Sequence, residues 1–263
     1  MWKRPRRNET SFMDIPPPLL IIAPHAYDAD LADLRWCEAA SGKVRVNAAK
    51  FRNLEMVEVI VDSMPFLLTP LTADETGKTL NAGTCDPLTC DPLMCDLPLS
   101  GESAIGVTPR ANVASAAPIP EVHRRLLLLG QWIGQSLDAT AAVWMPARRL
   151  SSFAWFDNAV SDYLARGRLP LPFHVSCSEV SAGRLATNGL RYFTGQEIGL
   201  AVPSDYRPAD IEGRVADIIA HIVAYGRIDR PSRSKDPVRR ETLVYTPSAD
   251  MERVEVLIRR DAR

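Results

Sequence analysis

The chain has 263 residues, of which 46% are hydrophobic and 24% are charged, so it is long enough to bury a full hydrophobic core without disulfides or a structural metal. Its 31 basic and 32 acidic residues give a formal net charge of -1, which leaves no overall field to attract nucleic acid or anionic lipid. No apolar run approaches the roughly 20 residues that a membrane-spanning helix needs, so the sequence predicts neither a membrane partner nor a nucleic-acid partner.

The first segment that predicts regular structure is the apolar run Leu19–Ala23, which is flanked by prolines and is typical of a β-strand. Residues 1–18 combine basic residues with prolines and lack the features of a secretory leader, so we expect a flexible basic tail. Residues 28–40 carry apolar side chains at roughly helical spacing and predict a short amphipathic helix. The odd count of five cysteines argues against a disulfide framework and favours a reducing cytoplasm.

A β-hairpin is predicted from two apolar runs, at residues 55–62 and 65–70, which are separated by a short turn. Residues 72–117 then lose all periodicity and are rich in Thr, Asp, Pro, Gly, Ser and Ala. A segment of this composition does not bury enough apolar surface to order itself. Residues 72–117 are therefore predicted to be a low-complexity, disordered insertion.

Two strong helices flank a buried strand in the middle of the chain. Residues 118–137 begin with prolines that suit a helix start, and one apolar stripe then collects Val122, Leu126, Leu129 and Ile133. Residues 139–145 are apolar on both faces, as expected for a central strand. Residues 151–166 repeat large apolar side chains every three or four positions and are followed by Gly167, a common helix stop.

Strands also dominate the last third of the chain. Apolar runs predict them at residues 172–177, 197–202, 241–246 and 253–259. Residues 208–225 predict the clearest helix of the chain, with Gly226 just beyond its end. The interleaved order predicts an α/β fold, with α+β as the alternative, in which one mixed sheet carries about three long helices. Residues 19–71 and 118–263 would form this single domain.

Four segments resemble a known family from about Glu55 onwards, if the insertion is left out. They are Ala117-Pro118-Ile119-Pro120, Ala142-Val143-Trp144, the Thr-x-Gly-Leu-x-x-Phe-x-x-x-Glu-Ile pattern from Thr187 to Ile198, and the late helix with its terminal Gly226. In these segments the chain resembles the bacterial, uncharacterised family catalogued as domain of unknown function 4261. The resemblance implies a single α/β unit and supplies no activity. The chain departs from the family at residues 72–117 and matches it poorly over residues 19–50.

Two motifs within the predicted insertion suggest a ligand but do not satisfy its requirements. Cys85, Cys90 and Cys95 recur every five residues, whereas zinc sites present pairs two to four residues apart, so simple repetition is the favoured interpretation. Gly77-Lys78-Thr79 ends like a phosphate-binding loop, but Thr72 stands where that motif needs a glycine. The sequence therefore predicts no metal and no cofactor.

The candidates for catalysis are His174, Ser176 and Glu179, because only there do a base, a nucleophile and a carboxylate lie close in the sequence. Alternate residues of a strand face one side, so His174 and Ser176 could share a face while Cys177 points away. A buried strand end with a hydrogen-bonded histidine is the favoured alternative. His123 lies near a helix start, without a neighbour in the sequence that would make it a ligand.

Basic residues concentrate between positions 227 and 240, in a proline-containing stretch that predicts a loop. The candidate binding residues there are Arg227, Arg230, Arg233, Lys235, Arg239 and Arg240. Such a loop could contact phosphate or an acidic protein, but it lacks the interleaved aromatic side chains that stack on nucleic-acid bases. A solvated loop without a partner is the alternative interpretation.

The leading functional hypothesis is a non-enzymatic module that binds another protein, such as an immunity or accessory protein of a bacterial conflict or secretion-associated locus. The alternative is a hydrolase or transferase that uses the strand end from His174 to Glu179. An exposed apolar patch would favour the binding module. A close approach of His174 to a carboxylate in an open pocket would favour the enzyme.

Overall fold

The computed structural model describes residues 17–31, 44–51, 54–81, 101–116, 118–204 and 206–260. Within these ranges the strands form two sheets, one of seven strands and one of six. The prediction of one mixed sheet with about three long helices is therefore wrong. The reason is physical: an apolar pattern identifies strands, but it does not specify which strands pair.

The first sheet contains the strands up to residue 152. These are β1 (Leu19–Ala23), β2 (Val44–Phe51), β3 (Leu54–Val61), β4 (Met64–Leu71), β5 (Ser103–Pro109), β6 (Ala141–Trp144) and β7 (Arg149–Ser152). Their order across the sheet is β2-β3-β4-β5-β1-β6-β7, and every neighbouring pair is antiparallel. The predicted strand at Leu19–Ala23 and the predicted hairpin are both present.

The first sheet carries a buried core on both of its faces. Its helices are α1 (Ala73–Asn81), α2 (Ala111–Ala114), α3 (Pro120–Ser136) and α4 (Phe153–Arg166). One face packs Leu19 and Phe66 against α3 and α4, and the other buries Leu20 and Val143 together with Leu80 of α1. Gly134 of α3 lies directly against Phe153 of α4, where a β-carbon would collide with the ring. The absence of a side chain at Gly134 therefore lets the two helices approach closely.

The second sheet contains the strands from residue 176 onwards. The elements of this region are α5 (Leu171–His174), β8 (Ser176–Ser181), β9 (Arg184–Asn188), α6 (Arg191–Thr194), β10 (Glu197–Ala201), α7 (Pro208–Tyr225), β11 (Ser232–Asp236), β12 (Glu241–Pro247) and β13 (Arg253–Arg260). The sheet order is β11-β12-β13-β10-β9-β8, with β10 and β13 parallel. Ile218 and Ile222 of α7 pack on one face, against Leu200 and Val256. None of the described helices is both long and apolar enough to cross a membrane.

The disordered insertion predicted over residues 72–117 is wrong at both ends of that range. Thr72 and Glu75 form a reciprocal cap, in which each backbone N–H donates to the other's side chain, and this cap starts α1. At the other end, β5 pairs with both β4 and β1 inside the first sheet. Its small residues are buried because the neighbouring strands and helices provide the apolar surface. The middle of the range, with Cys85, Cys90 and Cys95, lies outside the described residues.

Two predicted elements differ from the structure in part, and two others lie mostly outside the described residues. Residues 1–16 and 32–43, which hold most of the predicted tail and of the predicted early helix, lie outside the described residues. The segment predicted as a strand at residues 172–177 begins instead as the helical turn α5, and β8 starts at Ser176. Residues 227–240 were predicted to form a loop, but Ser232–Asp236 form β11 at the edge of the second sheet.

Candidate functional site

His174 is completely buried at the end of α5, where the chain passes from the first sheet to the second. Its Nε2 lies 2.9 Å from Nε2 of His123 on α3, and its Nδ1 lies 2.8 Å from the carbonyl oxygen of Pro170. A carbonyl oxygen only accepts hydrogen bonds, so Nδ1 of His174 carries the proton. Nε2 of neutral His174 then accepts from the N–H of His123, and both nitrogens of His174 are occupied.

Burial keeps both histidines of this pair neutral. Desolvation lowers the pKa of His174 to about 3, although the hydrogen bond to Pro170 opposes the shift. Desolvation and the neighbouring His174 together lower the pKa of His123 well below 6.5. A general base must reach the proton that it removes, with a pKa near the working pH. His174 meets neither requirement, because both of its ring nitrogens are engaged inside the protein and its pKa is far below neutral pH.

The other two catalytic candidates are also engaged elsewhere. The hydroxyl of Ser176 is buried and lies 3.4 Å from the carbonyl oxygen of Ala147. The exposed carboxylate of Glu179 accepts from the backbone N–H of Gly183 at 3.1 Å and so stabilises the turn between β8 and β9. Burial raises the pKa of the neighbouring Cys177 thiol to about 11, which keeps it protonated. The structure therefore does not assemble a nucleophile with its base at this strand end.

The histidine pair lies inside an aromatic cluster that joins the two halves of the chain. Trp144 comes from β6, and its ring centroid is 4.7 Å from that of His174. Phe193 comes from α6, and its ring centroid is 5.2 Å from that of His123. Burial also raises the pKa of Tyr192, whose ring is 4.8 Å from Trp144. Sequence reasoning missed this cluster because its members are far apart in the chain and no spacing rule connects them.

A small apolar cavity separates α7 from the second sheet. It is lined by Cys177, Leu185, Thr187, Ile198, Leu200, Val215, Ile218 and Ile219. Its volume is about 10 Å³, which is the space of a single water molecule. This cavity is too small for an organic substrate.

The candidate basic residues divide into two groups. Arg227 donates to the carbonyl oxygen of Met251, and Arg239 pairs with Asp217 on α7 at 2.9 Å. These two arginines therefore stabilise the fold. The remaining four are exposed and make no ion pair within the described part of the chain, namely Arg230, Arg233, Lys235 and Arg240. They are available to a partner.

The face of the second sheet that points away from α7 is open to solvent. We call this the open face, and the strand registers place residues side by side across it in two rows. One row holds Arg233, Val244, Leu257, Ala201 and Arg184, and the next holds Lys235, Thr242 and Arg259. Leu257 is 40% exposed, whereas its neighbours Val256 and Ile258 are buried against α7. The centre of the open face is thus an accessible apolar strip, formed by Val244, Leu257 and Ala201.

Most of the charges beside this strip make no ion pair with another described residue. Arg184 pairs with Glu255 at 2.6 Å, and the Glu255 side chain lies over Gly199, where an added β-carbon would come within 2.7 Å of its carboxylate. Arg233, Lys235 and Arg259 are exposed and make no ion pair among the described residues. The open face therefore combines the exposed Leu257 and the half-buried Val244 and Ala201 with three positive charges that make no ion pair in the described part of the chain.

Within the described residues, no group of three or more His, Cys, Asp or Glu side chains is placed to hold a metal ion. Comparison of the chain with protein-family models, with curated proteins and with solved structures gave no match. The resemblance to domain of unknown function 4261 stays a prediction.

Proposed function

We propose that this protein is a non-enzymatic module that binds an acidic partner protein on its open face. The observation that carries the proposal is the apolar strip around the exposed Leu257, which lies beside Arg233, Lys235 and Arg259. These three charges are exposed and make no ion pair within the ranges that the structure describes. An apolar centre with a polar, charged rim is the usual anatomy of a protein interface. The uncompensated positive charge would select a partner of opposite sign and speed its association.

A protein suits this surface better than a nucleic acid does. Surfaces that bind single strands combine positive charge with aromatic side chains on which the bases stack. The rows of the open face carry Val244, Leu257 and Ala201 at their centre and no aromatic residue. Apolar aliphatic side chains of this kind pack against other apolar side chains, which a partner protein offers.

The rival proposal, an enzyme that uses His174 to Glu179, has less support. The carboxylate expected beside His174 is replaced by the ring of His123, and the site is enclosed by aromatic side chains rather than open. A binding role needs no reactive group, only a stable scaffold and a complementary surface. A cytoplasmic immunity or accessory protein would act in this way, by occupying a surface of its partner.

The proposal is tested by reversing the free charges of the open face. In the variant R233E/K235E/R259E, each substitution replaces a positive charge with a negative one. The matched control is K78E/R166E/R168E, which changes the net charge equally at exposed positions outside the second sheet. Wild type and both variants are immobilised and incubated with lysate of the source organism, and the captured proteins are quantified by mass spectrometry.

We expect wild type and the control to capture the same acidic protein, and the open-face variant to capture at least about tenfold less of it. This dependence on the open face, rather than capture itself, supports the proposal. Equal capture by both variants would contradict it. Loss of capture by both variants would also contradict it, because binding would then depend on total charge and not on this surface.

A further inference from the structure

Among the described residues, none forms a strand partner for the outer edge of β11. β11 ends the order of the second sheet, and its register joins it to β12 alone, from Ser232 opposite Tyr245 to Asp236 opposite Glu241. No other backbone hydrogen bond within the described residues reaches Ser232–Asp236. Every second residue of an edge strand directs its N–H and C=O groups outward, so β11 presents a template for another strand.

This edge is held rigidly at its turn. The carboxylate of Asp236 accepts from the backbone N–H groups of Val238 and Arg239, at 3.1 Å and 3.0 Å. It also binds the buried guanidinium of Arg214 on α7, at 2.9 Å. The Nη2 atom of Arg214 also lies 3.0 Å from Oε2 of Glu241, the first residue of β12. A preformed edge costs little conformational entropy when a partner binds to it.

The charges of β11 restrict which strand the edge can accept. Arg233 and Lys235 lie two residues apart on the open face, and neither makes an ion pair in the described chain. A second copy of β11 would bring like charges close together, and like charges on facing strands are destabilising. An acidic strand would instead place carboxylates beside these two side chains. Val238, at the hairpin tip, is 91% exposed and adds an apolar contact next to the edge.

We infer that an extended acidic segment of the partner protein binds by adding to β11 as a further strand of the second sheet. Main-chain hydrogen bonds would provide the affinity, and the side chains beside Arg233 and Lys235 would provide the specificity, as in other cases of strand addition. This inference rests on the proposed function and specifies how the partner is bound. It places the segment next to the apolar strip, so that the rest of the partner can cover Leu257.

The test uses a synthetic peptide in which glutamate and valine alternate, with both ends capped. The peptide is titrated into the isotope-labelled full chain, and the backbone amides are followed by NMR. We expect the largest shifts, new cross-strand contacts and slower hydrogen exchange at Ser232–Asp236. A second peptide has the same side chains, with an N-methyl group on every backbone nitrogen. Since this methylation removes the donors from both edges of the peptide, it should abolish binding.

The variant R233E/K235E should weaken peptide binding by about tenfold, while K78E/R166E/R168E should leave it unchanged. Equal binding of the methylated peptide, or no peptide binding at millimolar concentration, would overturn strand addition. Neither outcome decides the proposed function, which the capture assay judges separately. Tighter binding of an oligothymidine than of the peptide, or self-association of the chain through β11, would also overturn the inference.

Discussion

The two sheets of this protein differ in how their faces are covered. In the first sheet, β1 buries Leu19 and Ile21 on one face and Leu20 and Ile22 on the other. In the second sheet, β13 buries alternate residues against α7, while Leu257 between them remains accessible. A strand that is buried on both faces contributes to stability alone, whereas an open face leaves side chains free for a partner. This difference is the reason why we propose the second sheet, and not the first, as the contact surface.

The largest expected effect concerns the histidine pair at the junction of the two sheets. Because the pKa of both histidines is lowered from 6.5 in the folded chain, the unfolded chain binds more protons below that pH. The contribution of His174 to stability is fully present above pH 6.5 and is lost as the pH falls towards about 3, and that of His123 is lost in the same direction. For His174 the loss should be about 1.4 kcal/mol per pH unit, or about 2 kcal/mol near pH 5, and His123 should add to it.

This expectation is tested by measuring the free energy of unfolding in urea at pH 7 and at about pH 5. The lower pH is chosen because it lies above the range where most carboxylates titrate. The variant His174→Gln should lose part of the pH dependence, since only His123 would remain. His25→Asn, at an exposed turn with a left-handed backbone, is the matched control and should keep all of it. A free energy of unfolding that is the same at both pH values would show that the pair is not buried as described.

A pair of leucine substitutions compares the sheets directly. Leu20→Ala removes a side chain that is 0% exposed and should destabilise the protein by about 3 kcal/mol. Leu257→Ala removes a side chain that is 40% exposed and should cost less than about 1 kcal/mol. Chemical denaturation of the two variants under identical conditions tests the contrast. Equal losses would mean that the open face is covered.

A smaller effect distinguishes the helices that cover the two sheets. Gly134→Ala in α3 would press a methyl group into Phe153 and should destabilise the protein by about 2 kcal/mol. Gly213→Ala in α7 meets no atom within 4 Å and should stabilise it by up to about 1 kcal/mol, because alanine favours the helix. Thermal unfolding of both variants should give shifts of opposite sign. Shifts of the same sign would contradict the packing of α3 on α4.

Local patterns predicted many of the strands and helices, because local chemistry determines them. The apolar run at Leu19–Ala23 is β1, and residues 208–225 are the helix α7, as their patterns indicated. The number of sheets could not be predicted in the same way. β6 pairs with β1 and β10 pairs with β13, and both pairings depend on which apolar faces meet in the folded chain. β5 was missed because Ser103, Ala104 and Gly106 look like loop residues until the neighbouring strands enclose them.

The candidate site was predictable in composition but not in geometry. The cluster of arginines indicated a basic contact, and Arg233 and Lys235 do lie on the open face. Nothing in the sequence placed Arg259 beside them, since that position follows from the pairing of β12 with β13. The same limit applies to His174, whose partner His123 lies on a helix 51 residues earlier. Residues that meet only through tertiary packing leave no local signal.

The claim that the open face is the contact surface is tested most directly by photocrosslinking in the source cells. A photoreactive phenylalanine replaces Leu257 at the centre of the apolar strip, and a control protein carries it at the exposed position of Arg168, outside the second sheet. We expect irradiation to attach one acidic protein to position 257 and not to position 168. No adduct at position 257, or equal adducts at both positions, would contradict the account.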